Sequence, residues 1–257
     1  MEDAFAKNLS KVARAAALAC AAWIVGCAGA ADRTPEQPDY RAIVANPDRS
    51  DADRQTDRRR HPESLLAFAG VRPGMRVLDV GAGAGYSTEL LARAVGPRGV
   101  VYAQDSPAVV GRPANERFDE RAKKPAMKNV VRVLRDFDDP VPPEARDLDL
   151  ITFFFAYHDT TFIGVDRATM DRRLFEALRP GGVLVIADHS ARAGAGVSVA
   201  RSLHRIEESV LKQEIEAAGF RFAAEADFLR HPEDPRDAIV FRPKVPVDEF
   251  VLKFVRP

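Results

Sequence analysis

The stretch Val77-Leu78-Asp79-Val80-Gly81-Ala82-Gly83-Ala84-Gly85 decides the fold of this chain. A short apolar run ends next to an acid, and three glycines then alternate with alanines. This order predicts a buried strand, a tight turn and the start of a helix. Glycines let the backbone turn sharply and approach a ligand, because they carry no Cβ. The N–H groups and the positive dipole at the start of the helix suit an anion.

The glycine spacing is G-x-G-x-G, which differs from the G-x-G-x-x-G of dinucleotide sites and disfavours NAD. With the acid two residues earlier, it resembles motif I of the class I methyltransferases, which bind S-adenosylmethionine (SAM). The resemblance implies that Asp79, Gly81, Gly83 and Gly85 bind SAM, with Asp79 facing the amino group of its methionine part. The alternative is a glycine-rich turn in another α/β protein.

Strand and helix patterns alternate along the rest of the chain. Helices are predicted at residues 50–60, from 62 to 69, and at 86–95, 167–178 and 203–218. Strands are predicted at residues 76–80, 100–105, 130–134, 148–155 and 183–187, with a turn at 179–182 and candidate strands at 220–228, 238–242 and 248–254. The pattern predicts an α/β fold, a Rossmann-like, doubly wound and mostly parallel sheet of about seven strands with an antiparallel C-terminal edge hairpin.

Three predicted strands end in acids, at Asp79, Asp105 and Asp136. Ligands of such sheets bind at the carboxyl ends of the strands, near the switch point. By the methyltransferase resemblance, Asp105 pairs with the ribose hydroxyls, Asp136 meets the adenine amino group and Phe137 covers the ring. The alternative for each acid is a helix N-cap or a solvated turn.

A narrower resemblance covers about residues 46–257. The segments 155–160, 164–170, 178–182, 187–191, 203–206, 216–220 and 250–254 resemble a family of bacterial predicted methyltransferases, many of which carry lipoprotein signals. The reaction of that family is inferred from its fold, and its substrate is not established. This chain has Ala156 where the family often has Asn. An Asn there orients a target amine in other methyltransferases, so its replacement argues against amine methylation by that route.

Polar side chains follow strands four and five. Tyr157, His158 and Asp159 follow one strand, and the segment from Asp188 through His189 follows the other. We predict that they face the methyl group, with His158 or His189 as a base oriented by Asp159 or Asp188, and Tyr157 as a further catalytic candidate. The alternative is that the histidines satisfy loop carbonyls. No metal is predicted, and a site from His158, His189 and His204 is the less favoured option.

The segment before the first long helical pattern is rich in Asp and Arg. Asp53, Arg54, Asp57 and Arg60 lie in a predicted helix with little apolar content. We expect them to form a solvated helix face, and a lid over the site is the alternative.

Composition bounds the function classes. The chain has 257 residues, of which 46% are hydrophobic, and its 38 Lys and Arg balance 38 Asp and Glu. This balance gives no general attraction to nucleic acid, so we expect none as a partner. The two cysteines, Cys20 and Cys27, lie near the N-terminus, which excludes a disulfide framework or a cysteine metal site in the domain.

The N-terminus has the pattern of a targeting segment. Basic residues precede a short apolar run, and residues 24–27 resemble a bacterial lipobox. We predict a lipoprotein signal peptide at residues 1–26, lipidation of Cys27, a tether at 27–45 and the methyltransferase-like domain at 46–257. The protein would then be exported and anchored to a bacterial membrane, facing the periplasm. Soluble export after cleavage near Ala30, and an uncleaved cytoplasmic form, are the alternatives.

Two functions remain open on the sequence. The first is a SAM-dependent methyltransferase that transfers methyl by in-line displacement to a small-molecule acceptor, with an oxygen nucleophile favoured. The second is a non-catalytic lipoprotein that binds a small ligand on a methyltransferase-like fold. The predicted export favours the second, because SAM is a cytoplasmic metabolite, whereas the polar side chains after strands four and five favour the first.

Overall fold

The computed structural model describes residues 37–241 and 243–257. Its helices are α1 Tyr40–Val44, α2 Asp51–Arg60, α3 Pro62–Ala69, α4 Tyr86–Val95, α5 Pro113–Ala122, α6 Tyr157–Thr160, α7 Arg167–Ala177, α8 Ala200–Leu203 and α9 Glu208–Ala217. Its strands are β1 Arg76–Val80, β2 Val100–Asp105, β3 Val130–Leu134, β4 Leu148–Phe154, β5 Leu178–His189, β6 Arg221–Ala226 and β7 Glu249–Val255. Short 3-10 turns occupy Pro107–Val109 and Pro125–Met127.

The strands form one seven-stranded sheet in the order β3-β2-β1-β4-β5-β7-β6. The strands β1 to β5 pair in parallel, and β7 runs antiparallel between β5 and β6. This arrangement confirms the predicted fold class. The strand order reverses between β1 and β4, so the predicted binding edge lies where these two strands end.

Apolar layers cover both faces of the sheet. Along β5, Leu184 and Ile186 pack into one core cluster, whereas Val185 and Ala187 pack into the other, as the two-residue period of a strand requires. The first cluster includes side chains of α7 and α9, and the second includes side chains of α3 and α4. A sheet covered on both sides presents its binding groups at the strand ends.

The helix predicted at residues 203–218 is confirmed only at Glu208–Ala217, because the helix breaks at His204. His204 adopts a left-handed φ of 54°, which ends α8. Ile206 then donates its N–H to the carbonyl of His189 at 3.0 Å and accepts from Ala191 at 2.9 Å. These bonds keep residues 205–206 extended beside the end of β5, and the helix resumes at Glu208.

Two further local predictions are corrected. Residues 238–241 do not form a strand; the Ala238 carbonyl accepts from Arg205 Nε at 3.0 Å instead of from a neighbouring strand. The predicted turn at 179–182 lies within β5, because Leu178 pairs with Leu148 and a register shift follows before the pairing continues. Gly181 has a φ of 75° and donates its N–H to the Arg256 carbonyl, which holds this irregular segment in place.

The folded domain begins before residue 46. Tyr40 of α1 is buried and its hydroxyl donates to the Val71 carbonyl at 2.6 Å, so the end of the predicted tether belongs to the domain. The predicted signal peptide and Cys27 lie outside the described residues. Within the part of the chain that the structure describes, no helix combines the length and apolar character needed to cross a bilayer.

Candidate functional site

A cleft of about 830 Å³ opens at the carboxyl ends of β1, β4 and β5. The glycine loop after β1 forms one side, and the segment from Phe154 to Asp159 forms another. The third side is α2, through Thr56, Arg59 and Arg60, and the mouth is lined by Val240, Phe241 and Pro243. The volume lies in the range that small-molecule and cofactor sites occupy.

The glycine loop has the backbone that its sequence requires. Gly81, Gly83 and Gly85 have φ of 68°, 54° and 76°, a region that side chains other than glycine rarely adopt. A Cβ on Gly81 would lie 3.0 Å from the Ala156 Cβ, and one on Gly85 would lie 2.9 Å from the Phe118 ring. Gly81 and Gly83 line the cleft, whereas Gly85 makes room for α5 against the start of α4.

Asp79 lies at the floor of the cleft and is buried. Its two carboxylate oxygens accept hydrogen bonds from the Thr88 hydroxyl at 2.6 Å and the Thr152 hydroxyl at 2.8 Å. Burial raises the pKa of Asp79 to about 6, although both hydroxyls lower it. Each oxygen keeps one lone pair for a further donor, so the carboxylate can still take the amino group predicted for it.

Asp105 braces the glycine loop instead of lining the cleft. Its carboxylate accepts the N–H groups of Gly83 and Ser106, each at 2.9 Å, and burial raises its pKa. Asp136 is exposed, and Phe137 is buried in a stack on Phe153 with ring centroids 6.1 Å apart. These three residues do not belong to the lining of the cleft, and their predicted contacts with ribose and adenine stay predictions.

His158 is held between two carboxylates. Its Nδ1 lies 2.7 Å from Asp188 Oδ1, and its Nε2 lies 3.2 Å from Asp159 Oδ1. Burial opposes the charged ring, but Asp188 and Asp159 outweigh it and raise the pKa of His158 to about 10. The ring therefore keeps its proton at neutral pH. This contradicts the prediction of His158 as a base, because a protonated ring stabilises negative charge and cannot accept a proton.

His189 remains the candidate base. It lines the cleft, with its ring centroid 5.5 Å from that of His158. Its Nδ1 lies 2.9 Å from Glu249 Oε1 without the alignment of a hydrogen bond. The structure thus pairs Asp188 with the ring of His158. It also brings Glu249 of β7, which was not among the residues predicted for the site, to the ring of His189.

Tyr157 is not a catalytic residue of this cleft. Its side chain is fully buried, and its hydroxyl lies 2.9 Å from Asp171 Oδ2 of α7 and 2.9 Å from Glu214 Oε2 of α9. Burial raises the pKa of Asp171 to about 7, so this carboxyl can share a proton with its neighbours. Tyr157 therefore ties α6 to α7 and α9.

Helix α2 packs on the domain through charged groups. Asp53 is buried and pairs with Arg121 at 2.7 Å, and Asp57 pairs with Arg49 at 2.7 Å and accepts from the Tyr86 hydroxyl at 2.6 Å. The expectation of a solvated face is wrong for these residues. Of the four predicted residues, Arg60 lines the cleft as part of the last turn of α2, and the lid stays a prediction.

Arg60 is the cleft residue whose role the sequence left open. Its guanidinium lies 4.4 Å from the ring centroid of Phe155 and 5.4 Å from that of Tyr86. Burial lowers the pKa of Arg60 to about 10, so the group stays charged at neutral pH. Among residues 37–241 and 243–257, Arg60 Nε has no hydrogen-bond partner, although it is shielded from solvent. A buried, charged donor beside a ligand cleft suits a carboxylate.

Comparison with known families places most of the sheet in one domain type. A family model described as "Methyltransferase domain" matches residues 72–221, which is more than half of the chain. The match begins just before β1 and ends at the start of β6.

Curated relatives share part of this domain. A ubiquinone/menaquinone biosynthesis C-methyltransferase of Shewanella sediminis is 30% identical over 128 residues, covering 49% of this chain and 47% of the relative. A protein-L-isoaspartate O-methyltransferase of Pyrococcus horikoshii is 29% identical over 123 residues, 48% of each. The chain thus spans about half the length of these relatives.

Solved structures share the fold at low identity. A SAM-dependent methyltransferase from Aquifex aeolicus has a TM-score of 0.56 at 22% identity, covering 86% of this chain and 95% of its own. The cyclase SpnF has a TM-score of 0.55 at 18% identity, covering 80% and 82%. At these identities the likeness concerns the fold alone.

Proposed function

Because the chain belongs to the methyltransferase-domain family, we propose that it transfers the methyl group of SAM to an oxygen of a small molecule. Family membership confirms the predicted enzyme class and the SAM cofactor at the level of the domain. The acceptor is our proposal. It rests on one observation: a single cleft joins the glycine loop and Asp79 to a group of imidazole, carboxylate and guanidinium side chains.

The residues of the cleft fit SAM. Gly81 and Gly83 leave space that a Cβ would narrow, and Asp79 keeps lone pairs for an ammonium group. Arg60 offers a buried donor to the methionine carboxylate. When bound, SAM supplies an electrophilic methyl group on a positively charged sulfur. The protein must then hold the acceptor close and in line with the bond that breaks.

The charges near the acceptor side of the cleft favour an anionic oxygen. Asp188 and Asp159 raise the pKa of His158, so that its ring carries a positive charge, and Arg59, which lies 3.3 Å from Glu249, adds a second positive group. An ionised hydroxyl attacks more readily than a neutral one, and nearby positive groups lower the pKa of such a hydroxyl. His189 lies on the same side and is the candidate to take the proton.

The mouth of the cleft is apolar and aromatic. Phe241 is 60% exposed, and its ring centroid lies 4.7 Å from that of His204. Phe155 lines the cleft beneath Arg60. This wall suits a flat acceptor such as a phenol. The names of the relatives support two chemistries, carbon methylation in quinone biosynthesis and oxygen methylation. Ala156, in place of an amide, argues against an amine acceptor.

Turnover with a panel of acceptors tests this proposal. Purified full-length protein is incubated with SAM labelled in its methyl group and with phenols, carboxylic acids or amines of similar size. We expect label in the phenols and in no amine. His158→Gln should lower kcat about 100-fold for the same phenol, because it removes the charge that stabilises the oxygen anion. Transfer to amines, with phenols inert, would contradict the oxygen acceptor.

The second candidate function is a binding module without methyl transfer. The observation that favours it is the similarity of the fold to that of a protein named as a cyclase. The same fold can therefore support a function other than methyl transfer. It predicts SAM binding with no transfer to any acceptor in the panel. We favour the enzyme, because a simple binder has no use for His158, Asp188 and His189 at the cofactor cleft.

We also propose export and lipid anchoring through Cys27. The support is the basic start, the short apolar run and the lipobox-like residues 24–27. Cells that express the full chain should carry it in the membrane fraction with fatty acid attached. Cys27→Ser should remove the lipid and release the protein from that fraction. A wild-type protein without lipid would refute this proposal and leave the methyltransferase proposal untouched.

A further inference from the structure

Three side chains at the acceptor end of the cleft converge on one point. His158 Nε2 and His204 Nδ1 are 3.1 Å apart, and Asp159 Oδ1 lies 3.2 Å from each of them. The three atoms form a nearly equilateral triangle, and all three residues line the cleft. Two imidazole nitrogens and one carboxylate oxygen that converge at this spacing can coordinate one cation between them.

We propose that His158, Asp159 and His204 bind a divalent transition-metal ion, such as Zn²⁺ or Fe²⁺. Ligand atoms about 3.2 Å apart can each lie roughly 2.1 Å from one ion, with angles of about 100° at the metal. This angle fits tetrahedral or octahedral coordination with open positions. Two imidazoles and one carboxylate are donors for zinc and non-haem iron, whereas Mg²⁺ and Ca²⁺ prefer oxygen ligands.

The groups behind the triangle support the same assignment. His158 Nδ1 lies 2.7 Å from Asp188 Oδ1, the carboxylate–imidazole contact that orients metal-binding histidines. Asp188 is fully buried and is fixed by the N–H groups of His158 and His189, each at 2.8 Å. His158 is therefore held with Nε2 toward the cleft. When an ion is bound there, it takes the place of the proton on Nε2 and supplies the positive charge at this position.

His204 reaches the triangle through a strained backbone. Its φ of 54° and ψ of 50° lie in the left-handed region, which costs free energy for a residue other than glycine. The ring packs between Phe162 and Phe241, with centroid distances of 5.9 and 4.7 Å. Asp159 follows His158 directly in α6, so one short helix supplies two of the ligands.

The open side of the triangle faces the cleft. Three protein ligands and an open position are the pattern of catalytic zinc sites, where the remaining position takes water or substrate. An acceptor hydroxyl bound there would lose its proton more easily, because the metal ion stabilises the oxygen anion. This catalytic role rests on the proposed methyltransferase function, whereas metal binding itself does not.

Titration with Co²⁺ tests the site directly. Full-length protein is stripped of metal with a chelator and dialysed, and Co²⁺ is added while its visible absorption is recorded. We expect about one equivalent to bind with the spectrum of a nitrogen and oxygen site, and Zn²⁺ to displace it. His204→Gln and Asp159→Asn should each weaken binding more than about 100-fold, and Asp188→Asn about 10- to 100-fold.

His231→Ala is the matched control, since His231 also lies beside a carboxylate, that of Glu233, at 3.3 Å. It should bind Co²⁺ like the wild type. Circular dichroism confirms that each variant is folded. No saturable binding by folded wild type, or equal binding by His204→Gln and Asp159→Asn, would overturn the proposal. SAM titration of the same samples distinguishes the two proposals. Protein that binds SAM but not Co²⁺ would refute the metal site alone, and protein that binds Co²⁺ but not SAM would refute the methyltransferase proposal alone.

Discussion

Arg60 is the residue through which α2 takes part in cofactor binding. Its guanidinium stacks on Phe155 and keeps one shielded donor without a partner among the described residues. Arg60→Ala should raise the Kd for SAM about 10- to 100-fold, because it removes one charge-assisted hydrogen bond to the methionine carboxylate. Isothermal titration calorimetry measures it. Arg58→Ala, two residues away and exposed, is the control and should leave Kd unchanged. Equal affinities in both variants would exclude a contact between Arg60 and SAM.

Asp79 should make the protein less stable as the pH rises. Its pKa is about 6 in the folded state and 3.8 ordinarily, so the folded state holds its proton more tightly. The contribution of Asp79 to the free energy of unfolding is about 3 kcal/mol. It is fully present below pH 3.8 and is lost as the pH rises through 6. Urea unfolding of Asp79→Asn should therefore show a smaller fall between pH 4 and 7. The same slope in both proteins would refute the raised pKa.

At the scale of elements, α2 depends on buried ion pairs. Asp53 accepts from Arg121 and caps its own helix with Ser50, and these bonds lower its pKa to about 2 despite burial. Its contribution to stability is present above pH 3.8 and is lost as the pH falls toward 2. Asp53→Asn should cost about 2 kcal/mol in the free energy of unfolding at pH 7.

Hydrogen exchange locates the same effect. The amides of α2 should exchange faster in Asp53→Asn, because the helix loses its main attachment to α5. Asp51→Asn is the control, since its side chain is fully exposed at the same end of the helix. If Asp51→Asn and Asp53→Asn lower the free energy of unfolding equally, the pair of Asp53 and Arg121 does not hold α2 in place.

Local sequence predicts the central strands well and the polar attachments poorly. The bounds of β1, β2 and β3 follow from apolar runs that end in acids or turns, which are signals within a few residues. The burial of Asp53 and Asp57 has no such local signal, because it depends on partners outside α2. Asp53 pairs with Arg121 of α5, and Asp57 pairs with Arg49, which precedes α2. The break at His204 was missed for a similar reason, since Ile206 is drawn to the end of β5.

In the candidate site, too, the sequence predicts which segments meet but not which side chains pair. The glycine loop and the groups after β4 and β5 were predicted because parallel strands bring their carboxyl ends to one edge. Tyr157 was misassigned, because successive residues of a short helix point in different directions, and its hydroxyl leads to Asp171 and Glu214. The partner of each histidine depends on side-chain geometry that spacing does not determine.

At the scale of the whole molecule, β7 completes both the core and the site. It inserts between β5 and β6, buries Phe250, Leu252 and Phe254, and carries Glu249 to His189. Phe254→Ala should lower the free energy of unfolding by about 3–5 kcal/mol, because it leaves a cavity in the sheet core. Thermal or urea unfolding measures this.

Phe241→Ala serves as the matched control for β7. Its side chain is 60% exposed at the mouth of the cleft, so the loss in stability should stay within about 0.5 kcal/mol. A protein that tolerates Phe254→Ala as well as Phe241→Ala would show that β7 is not part of the cooperative core.

The central claim is that the cleft at the ends of β1 and β4 binds SAM. Calorimetric titration of SAM into full-length wild type and Gly81→Val tests it most directly, because a side chain there meets Ala156 at 3.0 Å and needs an unfavourable φ. We predict micromolar binding by the wild type, and none by the variant while its circular dichroism stays native. A folded wild type that binds no SAM, or a variant that binds it equally well, would contradict the account.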